Sequence, residues 1–513
     1  MNKNTVKTLR DLVERSAALY GDKTFIKEKA GKDIVEKSFN TAIADIKRIS
    51  NYLLSNNEGK IHAAVIGPTS YAYLISYFGT VSAGNVIVPL DAQLPCPEIC
   101  ELLQRADVSV FFYDARYAPM LPAIKAACPN VKTYVSLQDG EGDATVPEIL
   151  AKFEPAEKLP EISEKELASI VYTSGTTGKS KGVMLSHSNF IDNVFCRDNE
   201  SNTEDVTLTV LPIHHIYCFT CDILLAFRYG TTVCVNDSMM RIAMNLKLFQ
   251  PTIILLVPMI AETILKQIKA ASAAKPEVPP QMIAQAVFGG RLKGIYSGGA
   301  YLAPEIIEDY KKLGIPMAQG YGMTECSPRI SNGSFGDEAL GDVGEIVKGC
   351  QVEIIDGEIC VNSPSVMQGY YKDPEETAKT IIDGWLHTGD LGYVENNKVF
   401  ITGRKKNLII LSNGENVSPE ELENKFAGKD MVAEVLIYAE EGFITAEILP
   451  NPEYFKDADV ETIKAELNEL IKNINTTVTS SKTIRRIRLR DKEFEKTTSK
   501  KIKRQQPFQG EII

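Results

Sequence analysis

Residues 63–90 carry no formal charge, and this stretch narrows the possible folds more than any other in the chain. A run of that length is long enough to cross a bilayer as one helix. It is interrupted, however, by Gly67, Pro68, Ser70, Gly79, Ser82, Gly84 and Asn85. The pattern instead predicts a buried strand (62–67), a helix (71–83) and a second buried strand (86–90). Continuous apolar strands of this kind belong to parallel sheets covered on both faces. The expectation is a soluble chain with no transmembrane segment.

The same alternation continues. A helix (97–105) and an apolar strand (108–113) follow, helical periodicity precedes them at 7–19 and 40–55, and the strand–helix rhythm recurs over 167–256. Parallel strands need crossover helices, so the fold class is α/β. Residues 270–281 read as a polar, proline-bearing loop. Residues 294–297 and 317–321 read as strand ends with glycine-rich turns. After about Asp342 short alternating strands appear (352–355, 357–361, 398–402), suggesting a small β-rich part. From Lys406 the pattern is a compact α+β unit, with strand 408–411, helix 419–426, strands 432–439 and 443–449, helix 460–474 and strand 483–490. A length of 513 residues suits two to four such units.

Composition narrows the function classes. Hydrophobic residues at 44% and charged residues at 24% are those of an ordinary globular chain. A net charge of −11 argues against a nucleic-acid binder. Between Lys482 and Arg504, though, eleven Lys or Arg face three acids, a local net of +8. This is either a solvated strand face or a surface that meets phosphates. Ten dispersed cysteines and an opening stretch without an apolar core predict a reduced, cytoplasmic chain with no secretory leader. The one CxxC, Cys218 to Cys221, lacks a second pair at zinc spacing.

The chemistry concentrates first in the stretch 171–183, VYTSGTTGKSKGV, which follows an apolar strand at 168–172. Its glycines Gly175 and Gly178 let successive backbone N–H groups face one anion. Thr173, Ser174, Thr176 and Thr177 add hydroxyl donors, and Lys179 adds charge. This is a phosphate cradle, with a plain surface turn as the alternative. It is not the P-loop of kinases and NTPases, because position 173 is Thr where that pattern needs Gly. In the 319–325 block, QGYGMTE, Tyr321 offers an aromatic face, Gly320 and Gly322 allow close approach, and Thr324 and Glu325 supply a hydroxyl and a hard carboxylate suited to Mg²⁺.

The cradle resembles the signature loop of the acyl-adenylate-forming superfamily, which comprises acyl-CoA synthetases, peptide-synthetase adenylation domains and luciferases. The resemblance continues in order through LPIHHIY (211–217), SGGAYL (297–302), QGYGMTE (319–325), GWLHTGD (384–390), GRKK (403–406) and KTTSKK (496–501). It implies a large N-terminal core, residues 1–403, of two stacked α/β sheet subdomains and a small β-rich subdomain. A small mobile α+β C-terminal domain, residues 404–513, would complete it. It also implies that residues 173–179 bind the phosphates of ATP and that Gly299, Ala300, Tyr301 and Tyr321 line the adenine. Thr324 would contact the α-phosphate, Glu325 would hold Mg²⁺, and Asp390 would bind the ribose beside Arg404. His215 would stand between the acyl pocket and the pantetheine channel.

A terminal lysine completes the implied site. Forming an acyl–phosphate bond places negative charge between a carboxylate and the α-phosphate, which a positioned ammonium stabilises electrostatically. Alignment through Lys496, Thr497, Ser499, Ile502 and Arg504 nominates Lys501. The family's proline and glycine are Glu495 and Lys500 here, which leaves Lys500 as a competitor. Lys406 would be the hinge about which the C-terminal domain turns between adenylation and thiolation. No acid occurs among His214, His215, Ile216, Tyr217 and Cys218, where amino-acid-activating relatives place an Asp to pair the substrate ammonium, and with twelve residues after Lys501 the expectation is against a peptide-synthetase module with its carrier domain. Closer texture resembles the long-chain fatty acyl-CoA synthetase branch. The implied reaction is ATP-dependent conversion of a fatty acid to acyl-AMP, then to acyl-CoA. An acyl carrier protein as acceptor, an amino- or aryl-acid adenylation enzyme, and a catalytically silent nucleotide sensor are the alternatives.

Overall fold

The computed structural model describes residues 1–513 except 174–179, 198–200, 338–340, 411–415, 457, 497–501, 505, 507, 508 and 513. Two compact units are present. The larger comprises residues 1–302, 307–352 and 361–387, and the smaller 303–306, 353–360 and 388–513.

In the larger unit the charge-free stretch folds as strand His62–Ile66, helix Tyr71–Ser82 and strand Val86–Leu90. These strands lie in an eight-stranded sheet of order Gly369–Tyr370, Lys181–Ser186, Leu167–Thr173, Val86–Leu90, His62–Ile66, Val108–Tyr113, Thr133–Ser136, Ala144–Thr145. Its pairings from Leu167–Thr173 onward are parallel. The Lys181–Ser186 strand runs antiparallel to both of its neighbours. The helix Tyr71–Ser82 is buried along its whole length, as an all-round apolar helix must be. Gly79 permits its contact with the neighbouring helix Phe39–Asn56, since a Cβ there would lie 2.5 Å from Ile49.

A second sheet of this unit runs through Arg329–Asn332, Met317–Gly322, Gly294–Gly298, Ile253–Leu256, Val206–Thr209, Thr232–Val235, Thr24–Ala30 and Asp33–Ser38. A helical stretch, 216–229, covers one face and contains a π turn at Phe219–Leu224. Phe219 packs on Tyr77 with ring centroids 4.2 Å apart and on Phe78 at 5.7 Å. The helix Tyr71–Ser82 thus joins the layers of the two sheets. No helix among the described residues is long and apolar enough to cross a membrane.

Residues 270–281 correct the reading as a loop. The helix Pro258–Ala274 runs into them and the helix Pro280–Val287 starts inside them. Proline at a first helical position loses no hydrogen bond, so Pro280 opens a helix rather than preventing one.

In the smaller unit residues 390–395, the end of the strand Trp385–Glu395, pair antiparallel with Lys398–Arg404. A four-stranded sheet follows, ordered Val432–Glu440, Phe443–Pro450, Arg486–Leu489, Glu511–Ile512. The helix Val460–Asn475 buries Leu467, Leu470, Ile471 and Ile474 in one core with Ile437, Ile444 and Ile448 of this sheet. Among the described residues of the positive run at 482–504, seven of nine cations have carboxylate partners. Lys482 pairs with Glu421, Arg486 with Glu441, Arg488 with Glu440, and Arg490 with Glu447. Lys496 pairs with Glu434 and Glu493, Lys503 with Glu495, and Arg504 with Glu420 and Glu423.

Candidate active site

The phosphate-cradle stretch leaves the sheet at Thr173, the last residue of Leu167–Thr173, and Lys181 opens the antiparallel return strand opposite it. Ser174, Gly175, Thr176, Thr177, Gly178 and Lys179 lie outside the described residues. The base of this hairpin is tightly fitted. A Cβ on Gly182 would lie 2.9 Å from Ile170, and Arg105 donates to the Ser180 carbonyl at 2.7 Å.

Two neighbouring parallel strands carry the adenine-block residues. Gly294–Gly298 and Met317–Gly322 run in register, Ser297 opposite Gln319 and Gly298 opposite Gly320. Both therefore end at the same sheet edge, the crevice outside strand C-termini where α/β proteins bind ligands. Gly299 then turns with φ +83°, a left-handed conformation that favours glycine. It leads to Ala300 and the exposed Tyr301. Tyr321 is buried and Gly322 exposed at the end of the second strand. A side chain at Gly322 is excluded, because its Cβ would stand 2.0 Å from the Pro328 carbonyl oxygen.

Thr324 and Glu325 follow in a short 3₁₀ turn. Glu325 is 8% exposed and is oriented by a residue that the sequence reading did not single out. The Tyr370 hydroxyl donates to Glu325 Oε1 at 2.8 Å, and Met367 N–H donates to the Glu325 carbonyl at 2.8 Å. Burial, and then the carboxylate, push the Tyr370 phenol pKa upward, so the hydroxyl stays a donor. Tyr370 itself pairs with Val183 of the return strand, and Lys181 stands over its ring at 5.1 Å while pairing with Glu376. The hairpin that carries the cradle and the carboxylate Glu325 are thereby joined through one tyrosine. The only sequence-level signal was an aromatic pair, Tyr370-Tyr371, in a polar segment.

His215 is exposed and caps the 216–229 helical stretch, with its ring 4.5 Å from that of His214. His214 Nε2 lies 3.6 Å from Asp91, yet burial first and His215 second depress the His214 pKa to about 3, so it is neutral at ordinary pH. Tyr217 lies over the sheet edge, its ring 3.3 Å from where a Cβ on Gly298 would sit. A cavity of ≈ 30 Å³ in the same unit is lined by Thr207, Cys221, Asp222, Leu255 and Tyr296, among others. The Thr207 hydroxyl donates to Asp222 Oδ1 at 2.8 Å, and burial raises the Asp222 pKa to about 7.

In the smaller unit Asp390 and Arg404 are direct cross-strand partners, with Arg404 Nε 2.6 Å from Asp390 Oδ1. The Asp390 backbone N–H donates to Thr388 Oγ1 at 3.1 Å, and Thr388 donates to the Ile359 carbonyl at 2.7 Å. Lys405 pairs with Glu358 at 2.8 Å. Lys406 is held below its ordinary pKa by burial first and by Arg404 second. Lys501 and its competitor Lys500 lie outside the described residues. None of the ten cysteines, all among the described residues, is in a disulfide.

The family described as AMP-binding enzyme matches residues 13–371, and that described as AMP-binding enzyme C-terminal domain matches residues 406–510. The chain is similar to the long-chain-fatty-acid–CoA ligase FadD15 of Mycobacterium bovis, 26% identical over 514 residues that cover 86% of this chain and 85% of that one. It is 29% identical to long-chain-fatty-acid–CoA ligase 5 of Rattus norvegicus over 476 residues, covering 78% and 68%. Among solved structures, the anthranilate CoA ligase AuaEII in complex with anthranoyl-AMP superposes with a TM-score of 0.85 at 19% identity, covering 98% and 97%. ATP-bound MatB of Rhodopseudomonas palustris gives 0.80 at 24%, covering 97% and 96%.

Proposed function

Because the chain belongs to the AMP-binding enzyme family, we propose that it activates a fatty acid with ATP to acyl-AMP and pyrophosphate and passes the acyl group to the thiol of coenzyme A. The observation that carries this reading is the fixed carboxylate of Glu325, joined through Tyr370 to the cradle hairpin beside two glycine-ended strands. An enzyme of this class needs a phosphate loop, an adenine edge and a metal-binding carboxylate on one rigid scaffold. The larger unit supplies residues of each type.

Glu325 fits a Mg²⁺ ligand: a buried hard oxygen donor with one oxygen already oriented by a hydroxyl. When bound, Mg²⁺ neutralises phosphate charge. Thr173 and the stretch 174–179 bind the triphosphate, Gly299, Ala300, Gly320, Tyr321 and Gly322 take the adenine, and Thr324 takes the α-phosphate. Asp390 binds the ribose hydroxyls with Arg404 as its partner. Lys501 stabilises the charge that develops between carboxylate and α-phosphate. His215 controls thiol entry. We place the domain boundary between residues 403 and 404, with Lys406 as the hinge. The two family matches, ending at 371 and restarting at 406, support that placement.

The names of the relatives, long-chain-fatty-acid–CoA ligases, support a long apolar acyl substrate. Exchange of labelled pyrophosphate into ATP, run over fatty, aryl and amino acids, tests the reading, with CoA and an acyl carrier protein offered separately as acceptors. Exchange dependent on a fatty acid, followed by acyl-CoA release, is the expected result. Exchange without any acid, or with amino acids alone, would overturn it.

A further inference from the structure

The segment from Phe494 to Gln506 is held to the rest of its unit by a set of contacts that the reaction itself does not require. Lys496 and Ile502 form an antiparallel bridge, and Lys503 N–H donates to the Glu495 carbonyl at 2.8 Å. Residues 497–501, with Lys501 last, are the sequence between the two bridged positions. One side of this base is tied by Lys496 to Glu434 and Glu493. The Phe494 N–H donates to Glu434 Oε2 at 2.8 Å.

The other side is tied by Arg504. Its Nη2 lies 2.5 Å from Glu423 Oε2 and 3.1 Å from Glu420 Oε1, while Nη1 donates to the Ile437 carbonyl at 3.2 Å. Ile437 N–H donates in turn to Glu423 Oε1 at 2.8 Å. Guanidinium, carboxylate and the backbone N–H and C=O of one residue of the Val432–Glu440 strand, Ile437, thus form a closed ring of hydrogen bonds. Burial raises the Glu423 pKa to about 7 even against the guanidinium. A buried acid this costly to ionise is weak evidence for stability, and a hydrophobic residue would serve packing as well. Such a pair fixes a direction in space, because the planar fork of Arg admits few orientations.

Glu420 extends the ring toward the hinge. Asn407 donates to Glu420 Oε1 and Ser418 to Oε2 at 3.1 Å. Gly403 lies against Ser418 so closely that a Cβ would be 2.0 Å from its Oγ. Lys406 feels Glu420 and Arg504 as well as Arg404 and Asp390.

We propose that Arg504 is a positioning residue for the first half-reaction, holding the Lys496–Ile502 bridge, the base on either side of the sequence that contains Lys501, to Glu423 and Glu420. This rests on the reading of Lys501 as the adenylation lysine. Only Ile502 and Lys503 lie between Lys501 and Arg504 in the sequence, a chain reach of at most about 10 Å, so the clamp acts on the backbone next to the lysine. A displacement of about 1 Å at a reacting group costs on the order of 10²-fold in rate.

The test measures the two half-reactions separately in the full chain. Arg504→Ala lowers fatty-acid-dependent pyrophosphate exchange by about 10- to 100-fold and leaves thiolation of supplied acyl-adenylate within about twofold of wild type. Glu423→Gln, which keeps the side-chain shape, shows a smaller loss in the same half-reaction, and Arg504→Lys recovers part of it. In a Lys501→Ala background Arg504→Ala has no further effect on exchange. Equal losses in both half-reactions, or additive losses in the double variant, would refute the proposal, and Glu423→Gln and Arg504→Lys carry it should Arg504→Ala not fold. A wild-type chain without acid-dependent exchange would remove the functional reading itself, whereas an active wild type with unaffected variants removes the clamp alone.

Discussion

Tyr370 donates its hydroxyl to Glu325 Oε1 at 2.8 Å across 45 residues of chain, and its ring lies under the ammonium of Lys181. One aromatic side chain therefore orients the proposed metal carboxylate and supports the strand that leaves the phosphate cradle.

Tyr370→Phe keeps the ring and removes only the donor. A hydrogen bond to a charged group contributes about 1.5–3 kcal/mol, so kcat/KM for ATP falls by roughly 10- to 100-fold with a shift toward higher Mg²⁺ requirement. Pyrophosphate exchange at varied Mg²⁺ reads this, and an unchanged Mg²⁺ dependence contradicts it.

Gly322→Ala places a methyl 2.0 Å from the Pro328 carbonyl oxygen, backbone that has no flexible end to swing aside. Overpacking of this kind costs about 1–3 kcal/mol. A lowered thermal midpoint together with lost nucleotide binding is expected. Wild-type values for both would show that the two strands separate freely.

Asp222 gives stability an unusual pH dependence. Its folded pKa, about 7, lies above the ordinary carboxyl value because of burial. Between those two values the folded chain holds a proton that the unfolded chain has released. Stability is therefore greatest at the acid end and declines as pH rises toward 7, by up to about 1.4 kcal/mol per pH unit from this group. Urea midpoints over that window are expected to flatten in Asp222→Asn. A parallel curve for wild type and variant rules the assignment out.

In the smaller unit Arg490 and Glu447 form an ion pair at 2.6 Å with side chains 2% and 1% exposed. Arg490→Leu strands the carboxylate, at about 3–5 kcal/mol. The double change Arg490→Leu with Glu447→Leu regains most of that. Calorimetry distinguishes this from a general loss of packing, in which the double variant is the worse of the two.

The sequence revealed most where burial is two-sided. Strands 86–90 and 108–113 match the structure residue for residue, because apolar runs in a parallel sheet have no polar face to obscure them. Helix starts at Pro280 were missed because proline breaks a helix interior yet suits its first turn. The glycine blocks at 297–302 and 319–325 were legible as strand ends with glycine-rich turns, but only the structure shows that their strands are neighbours ending at one edge. Partners across the fold were not. Glu325 was marked as a metal ligand by its chemistry, but Tyr370 pairs with it through the tertiary arrangement of the return strand. The same limit applied to the basic run at 482–504, whose neutralising acids come from 420–447 and from within the run itself, through strand pairing that no local pattern records.

That neutralisation has an electrical consequence. Of a stretch counted as +8 from its letters, seven of the nine described cations sit within ion-pair distance of a carboxylate, so the far field of those seven is weak and short-ranged. An anionic resin or a polyphosphate would meet little net attraction there, and whatever specificity the unit has for nucleotide must come from individual groups at contact distance rather than from a diffuse pull on passing anions.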